Sequence, residues 1–193
     1  NTDTLEFDYV PIELENESIV IMNTNKRRGL ADSKYNERRA QCEQALEIIK
    51  QHKAVNELCD LTIDKLEALK PYFHEDVIYR RAYHAVSENQ RTLKASKVLV
   101  DNDLETFGKL MNESHVSLRD DYEVTGIELD TLVEAAWAHP GTVGARVTGA
   151  GFGGCAIAIV RNEHLDDFIQ TVSQKYLDTI GYDADFYVAN VGQ

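Results

Sequence analysis

The chain reads as an α+β domain built on a ferredoxin-like, split βαβ plan, with an antiparallel sheet and several helices added to the first crossover. Three observations carry that reading. Apolar spacing changes period along the chain in the order strand, helices, strand, strand, helix, strand. The 193 residues, 43% of them hydrophobic, suffice to bury one sizeable core. The densest run of glycines, Gly144 to Gly154, lies between two strand-like runs, where it reads as a strand-to-strand connection.

The elements follow in order. Leu5 to Ile12 reads as extended, with Leu5, Phe7, Tyr9 and Pro11 on one side and Glu6, Asp8 and Val10 on the other. Ile19 to Met22 is an apolar block that predicts a strand over Ser18–Asn23. Tyr35, Cys42, Ala45, Leu46 and Ile49 recur at helical spacing from about Ser33 to His52, with Asp32 or Ser33 as cap. A short helix is predicted over Thr62–Leu69, and the longest over Asp76–Val100, where Ile78, Ala82, Ala85, Val86, Leu93 and Val100 approximate one stripe. Asn102 and Glu105 suggest a new cap and a helix through about Ser114. Thr125 and Glu128 have capping-box spacing, opening a helix that ends before His139-Pro140-Gly141. Strands at Arg146–Thr148 and Cys155–Val160 flank the glycines. Leu165, Phe168, Ile169, Val172, Tyr176 and Leu177 then mark a helix, and Asp185–Val191 alternates like a last strand.

The glycine cluster must serve the backbone: residues without Cβ take positive φ and let peptide N–H groups or another chain segment approach closely. Gly149, Gly151 and Gly154 match a G-x-G-x-x-G string, but a dinucleotide-binding turn opens a helix, and this one runs into a strand. From the bare pattern, an anion-binding loop and a ligand-free connection stay open.

Composition excludes several classes. Lys plus Arg number 20 against 33 Asp plus Glu, and a net charge of −13 opposes binding to nucleic acid. Lys26-Arg27-Arg28, Arg38-Arg39 and Arg80-Arg81 are each flanked by acids and read as solvated faces rather than phosphate patches. No apolar run approaches the roughly 20 residues that span a bilayer. Cys42, Cys59 and Cys155 lie far apart, so neither a disulfide framework nor a zinc site is suggested; a reducing cytoplasm fits, with Cys42 and Cys155 as small core residues. His84 and His139 are expected in surface or capping roles. Ser114 and His115 point about 100° apart on a helix and form no nucleophile–base unit. Asp120 and Asp121 read as a solvated turn, not a metal site.

Gly144 to Val160 resembles the third conserved motif of the GHMP kinases, the superfamily of galactokinase, homoserine kinase, mevalonate kinase and phosphomevalonate kinase. Asn23 to Arg39 resembles a segment particular to the galactokinase family, as does Met111 to Thr125 followed by Glu128-Leu129-Asp130. The resemblance implies an ATP-dependent sugar kinase that phosphorylates the anomeric hydroxyl of galactose, giving galactose 1-phosphate, with magnesium bridging the phosphates. It also implies that the sugar-binding signature, the loop wrapping the phosphates, and the catalytic aspartate with its neighbouring arginine lie upstream of Asn1. No initiator Met or secretory leader precedes the first extended run, which reads as a cut point.

By that resemblance the chain is the C-terminal half of such an enzyme and inactive alone. Residues 1–17 are a strand segment of the missing N-terminal domain or its linker, and residues 18–193 are the GHMP kinase C-terminal domain. Tyr35 matches the tyrosine whose hydroxyl helps hold the sugar; by spacing alone it is the first residue of a helix's apolar stripe. Gly149, Gly151, Gly153 and Gly154 support the phosphate loop, and Thr148 offers either a hydroxyl to the cleft or a strand-end hydrogen bond. No catalytic base or metal ligand is expected within the chain. ATP and Mg2+ belong to the full-length enzyme, with no cofactor held tightly here. The implied partners are galactose, ATP and the N-terminal domain, in the cytoplasm, with neither nucleic acid nor membrane. Another small-alcohol kinase of the superfamily, and a non-catalytic sensor that binds the same ligands, are the alternatives.

Overall fold

The computed structural model describes residues 7–27 and 31–189. Four strands form one antiparallel sheet: β1 (Glu17–Asn23), β2 (Thr142–Thr148), β3 (Cys155–Arg161) and β4 (Asp185–Ala189), in the order β2-β3-β1-β4. That is the strand order of a split βαβ unit. The first crossover carries α1 (Ala31–Lys50), α2 (Ile63–Glu67), α3 (Asp76–Val100), α4 (Leu104–Asp120) and α5 (Ile127–Ala138); α6 (Leu165–Ile180) forms the second.

The strands alternate as a half-covered sheet requires. Val20 and Met22 of β1, Ala145 and Val147 of β2 and Ala156, Ala158 and Val160 of β3 all face α5 and α6. There Leu129, Leu132, Val133, Phe168, Val172 and Tyr176 complete a core with almost no solvent exposure. A second core joins α1, α2 and α3 through Ala45, Ile49, Leu66, Leu69, Ile78, Ala82 and Val86. A third, smaller one lies on the opposite face of the sheet, where Ile12 and Leu14 rest on Met111, Val143 and Ile159.

α4 links these layers, lying against β2 with no side chain between the two backbones. A Cβ on Gly108 would stand 2.1 Å from the Val143 carbonyl oxygen, and one on Gly144 would stand 2.5 Å from that of Gly108. A bulge between Thr142 and Gly144 bends the strand at this contact. β2 is an edge strand, and its outward backbone groups are met by side chains rather than by another strand. Asn112 Oδ1 accepts from Ala145 N at 2.9 Å, His115 Nδ1 accepts from Val147 N at 3.2 Å, and Trp137 Nε1 donates to the Ala145 carbonyl at 3.0 Å. Because His115 Nδ1 accepts, Nε2 carries the proton and donates to Asp130 Oδ1 at 3.1 Å. Asn112 and His115, three apart on one helix face, thus close the edge next to the glycine loop.

Residues 7–14, expected to extend toward a separate domain, pair with none of these four strands, and Phe7 and Tyr9 are exposed; Leu5 and Glu6 lie outside the described residues, as do 190 and 191 of the expected last strand. Several other sequence expectations are corrected. α1 starts at Ala31, so Asp32 and Ser33 fall inside it rather than at its cap. α4 is capped by Asp103, which accepts from Thr106 N, and not by Asn102; it runs on to Asp120. The capping box at Thr125 does not form: Gly126 occupies the cap at φ 85°, and Glu128 pairs with Lys26 at 2.9 Å. β2 starts four residues before Arg146. Leu93 and Val100 are exposed, because α3 outruns the core at its C-terminal end.

The α4–β2 contact leaves no room for a methyl group. Gly108→Ala is therefore expected to lower the urea unfolding free energy by about 3 kcal/mol, the upper part of the range for overpacking. A midpoint unchanged from the parent chain would contradict the backbone contact.

Candidate functional site

The turn joining β2 to β3, residues 149–154, is held by three separate parts of the sequence. The end of β1 holds its last residue: Thr24 N and Thr24 Oγ1 both donate to the Gly154 carbonyl at 2.9 Å, while Tyr176 Oη fixes Thr24 by donating to its carbonyl at 2.6 Å. Lys26 lies along Gly153, its side-chain carbons 3.0 Å from where a Cβ would stand. The segment after α4 holds the middle of the loop, with Phe152 N donating to the Val124 carbonyl at 2.6 Å. α1 covers Phe152 from outside: Lys34 Nζ is 5.6 Å and the Arg38 guanidinium 5.9 Å from the ring centroid, a cation–π arrangement.

Gly151 shows why this loop needs glycine. It sits at φ 79°, and a Cβ there would lie 2.2 Å from the Val124 carbonyl oxygen, so both conformation and space exclude a side chain. Phe152 takes a left-handed φ of 60° although it is not glycine, as does Glu123 at 56°. Two strained non-glycine residues thus face one another across the Val124–Phe152 hydrogen bond.

The segment that receives the loop is itself gripped by arginines. Arg80 Nη1 donates to the carbonyl of Asp120 at 2.6 Å and Arg81 Nη1 to that of Asp121. Arg38 donates to the carbonyls of Tyr122, from Nε at 2.6 Å, and Glu123, from Nη2 at 3.0 Å. Four successive carbonyls each meet a guanidinium. The Glu123 carboxylate pairs with Arg81 at 2.5 Å and Arg80 at 3.2 Å, and these arginines hold its carboxyl below the usual range against a smaller upward push from burial. Arg81 is 1% exposed and Arg38 9%, so both belong to the interior. The reading of these arginine pairs as solvated faces is thereby corrected at Arg38 and Arg81. Asp120 and Asp121 form a tied turn, with Asp121 Oδ2 also accepting from Ser117 Oγ at 2.7 Å.

Tyr35 stands on the first turns of α1, between Lys34 and Arg38, and is 54% exposed; it is not the buried start of an apolar stripe. It is close enough to Tyr122 to add, after burial and the Cys42 thiol, to the upward shift of the Tyr122 phenol. The structure brings the helix that carries Tyr35 against the glycine loop at Phe152, through Lys34 and Arg38. Thr148 is exposed, and with Gly149 it walls a cavity of about 370 Å³ floored by Ile19, Ile157 and Met111 and edged by Glu88 and Arg146. Ser114 and His115 serve separate partners, Ser114 Oγ donating to Glu88 at 2.6 Å. Cys42 and Cys155 are partly buried and, like the more exposed Cys59, unpaired. Among the described residues no group of three or more His, Cys, Asp or Glu side chains is placed to hold a metal ion, and no helix is long and apolar enough to cross a membrane.

Sequence reasoning missed Arg38, Arg81 and Glu123. A signal existed for Arg38, which continues the stripe of Cys42, Ala45 and Ile49 by one turn. His84 and His139, expected at the surface or in caps, are 7% and 5% exposed. His139 does cap, its Nδ1 accepting from Gly141 N at 3.1 Å, whereas His84 is buried against the Tyr122 ring, centroid to centroid 4.5 Å.

Residues 94–178 match the family model "GHMP kinases C terminal". Over 190 residues the chain is 57% identical to a galactokinase of Clostridium perfringens strain SM101, covering 98% of the chain and 49% of the relative. A galactokinase of Lactiplantibacillus plantarum is 55% identical over 191 residues, covering 99% and 49%. Among solved structures, Lactococcus lactis galactokinase complexed with galactose superposes with a TM-score of 0.95 at 48% identity, covering 98% of this chain and 49% of that one. L. major mevalonate kinase in complex with R-mevalonate shares the fold alone, at a TM-score of 0.56 and 18% identity over 92% of this chain and 44% of that one. The chain spans about half the length of the curated relatives it matches.

The wall behind Tyr122 responds to pH. Burial pushes the His84 imidazole down to about 4, against the pull of the Glu88 carboxylate. Glu88, pushed up by burial, is carried below the usual range by the Ser114 hydroxyl and the Arg146 and Arg91 guanidiniums. A neutral folded imidazole that gains a proton on unfolding contributes stability fully present above about pH 6.5 and lost as pH falls toward about 4. The urea midpoint is expected to drop over that span, and to drop less in His84→Gln. Equal falls in both chains would contradict a buried neutral imidazole.

Proposed function

We propose that this chain, a GHMP kinase C-terminal domain of the galactokinase family, forms one wall of a cleft in which ATP phosphorylates the anomeric hydroxyl of galactose. The observation that carries the proposal is the convergence on one loop of the three segments whose sequence resembles this family, with Tyr35 exposed beside them. Tyr35 is 54% exposed on the helix whose Lys34 and Arg38 cover Phe152, and this exposure supports a role for its hydroxyl in holding a ligand.

Phosphoryl transfer needs in-line positioning and stabilisation of charge on the transferring oxygens. In this reading the reactive carboxylate and the phosphate-wrapping loop come from the other half of the enzyme, to which residues 1–17 lead. Tyr35 Oη holds a sugar hydroxyl. Gly149, Gly151, Gly153 and Gly154 offer a surface without side chains, against which the phosphate-bearing loop approaches closely. Its rigidity comes from Thr24, Val124 and Lys26. Magnesium, on this reading, is held with the nucleotide by the other half of the enzyme; among the described residues no group of three or more His, Cys, Asp or Glu side chains is placed to hold it. Three cysteines far apart in sequence and free of disulfides support a reducing, cytoplasmic setting. The superfamily alternative with another small alcohol draws only on a shared fold at 18% identity.

The test is ATP-dependent formation of galactose 1-phosphate by the full-length protein carrying this chain. Tyr35→Phe is expected to raise KM for galactose about five- to tenfold, the value of one hydrogen bond worth roughly 1 kcal/mol or slightly more, with little change in KM for ATP. The chain by itself is expected to form no product. Binding of both ligands without turnover would favour the sensor reading instead.

A further inference from the structure

The geometry points to Glu123 as a positioning residue: a strut that sets the distance between the helix carrying Tyr35 and the glycine loop. This inference rests on the assignment of Tyr35 to the sugar proposed above. Glu123 is the residue at which α1, α3 and the loop meet. Its carbonyl accepts from Arg38 on α1, three residues beyond Tyr35, and its carboxylate pairs with Arg80 and Arg81 on α3. The next carbonyl, that of Val124, accepts from Phe152 and closes on Gly151.

The pull from two sides explains the backbone of Glu123. At φ 56° a residue with a Cβ is strained, and such outliers persist only where surrounding contacts over-determine them. Three ion pairs and hydrogen bonds to arginines do so here. Glycine at this position would relieve the strain but would lose the carboxylate. A carboxylate is the side chain that accepts from two guanidiniums at once, and it compensates the charge of Arg81, which is 1% exposed. Residues 34–37 of α1 are exposed, and among the described contacts Lys34 and Arg38 are what pack this end of the helix on Phe152 of the loop. The strut therefore acts on the sugar through Tyr35, and touches no ligand.

The experiment is a double-mutant cycle in the full-length kinase carrying this chain, with galactose KM, ATP KM and kcat measured for the parent, Tyr35→Phe, Glu123→Ala and the pair. Glu123→Ala leaves Arg81 with Gln41 and the Asp121 carbonyl as partners, and kcat is referred to active molecules so that a loss of stability is counted separately. Glu123→Ala should raise galactose KM about tenfold, with ATP KM and kcat per active molecule within about twofold, because misplacement of one binding group is selective. In the Tyr35→Phe background it should add nothing, since the group it positions is gone. Glu123→Gln, which keeps one acceptor oxygen for Arg81, should recover most of the loss. Multiplicative effects in the pair, or a loss confined to the amount of active enzyme, would overturn the strut while leaving Tyr35's assignment intact. An unchanged galactose KM in Tyr35→Phe would remove that assignment first, and the strut with it.

Discussion

Four successive backbone carbonyls, from Asp120 to Glu123, are each capped by an arginine, and the candidate site depends on that grip. A turn after a helix ordinarily leaves its carbonyls to water. Here Arg80 and Arg81 reach them from α3 and Arg38 from α1, so two helices far apart in sequence are fastened to one turn. Hydrogen bonds from a charged donor are worth about 1.5–3 kcal/mol each. The turn in turn offers the Val124 carbonyl to Phe152 and its backbone to Gly151, which makes the glycine loop as fixed as the arginines that stand behind it.

The other side of the loop is fixed by the sheet. Among the described residues no strand pairs with the outer edge of β2, and α4 meets that edge through Asn112 and His115, with Trp137 of α5 closing the Ala145 carbonyl. The Gly108–Gly144 contact brings helix and strand close enough for these side chains to reach. The same short stretch of α4 and the turn that follows thus serves twice, at the sheet edge and at the arginine grip. That double duty gives a physical reason for polar residues in its sequence where a helix of this burial would ordinarily carry Leu or Val.

Much of the architecture was legible in apolar spacing, because the strands and α3, α5 and α6 bury apolar faces against one sheet or one helix layer. The end of α4 was not, since Ser114, His115 and Ser117 occupy its buried face while Val116 is partly exposed, so the 3.6-residue rhythm is written in polar residues. The capping box at Thr125 misled for a related reason: Glu128 has a stronger partner in Lys26, from a strand end more than 100 positions earlier. The glycine loop was marked by composition, and Tyr35 was singled out only through motif resemblance. The arginine grip was not, because paired basic residues flanked by acids look solvated, and carbonyls awaiting a donor leave no mark in sequence. Glu123 left none either, since a positive φ at a glutamate arises from contacts that only the fold assembles.

The central claim, that arginines holding the turn after α4 also hold the glycine loop, is tested most directly by native-state hydrogen exchange at the Phe152 amide. In the parent chain this amide should be protected, as should Ala158 in β3. In Arg81→Lys, whose single ammonium cannot reach Gln41, Asp121 and Glu123 together, Phe152 should exchange at least about tenfold faster while Ala158 keeps its rate. Unchanged protection at Phe152 in that variant would contradict the account.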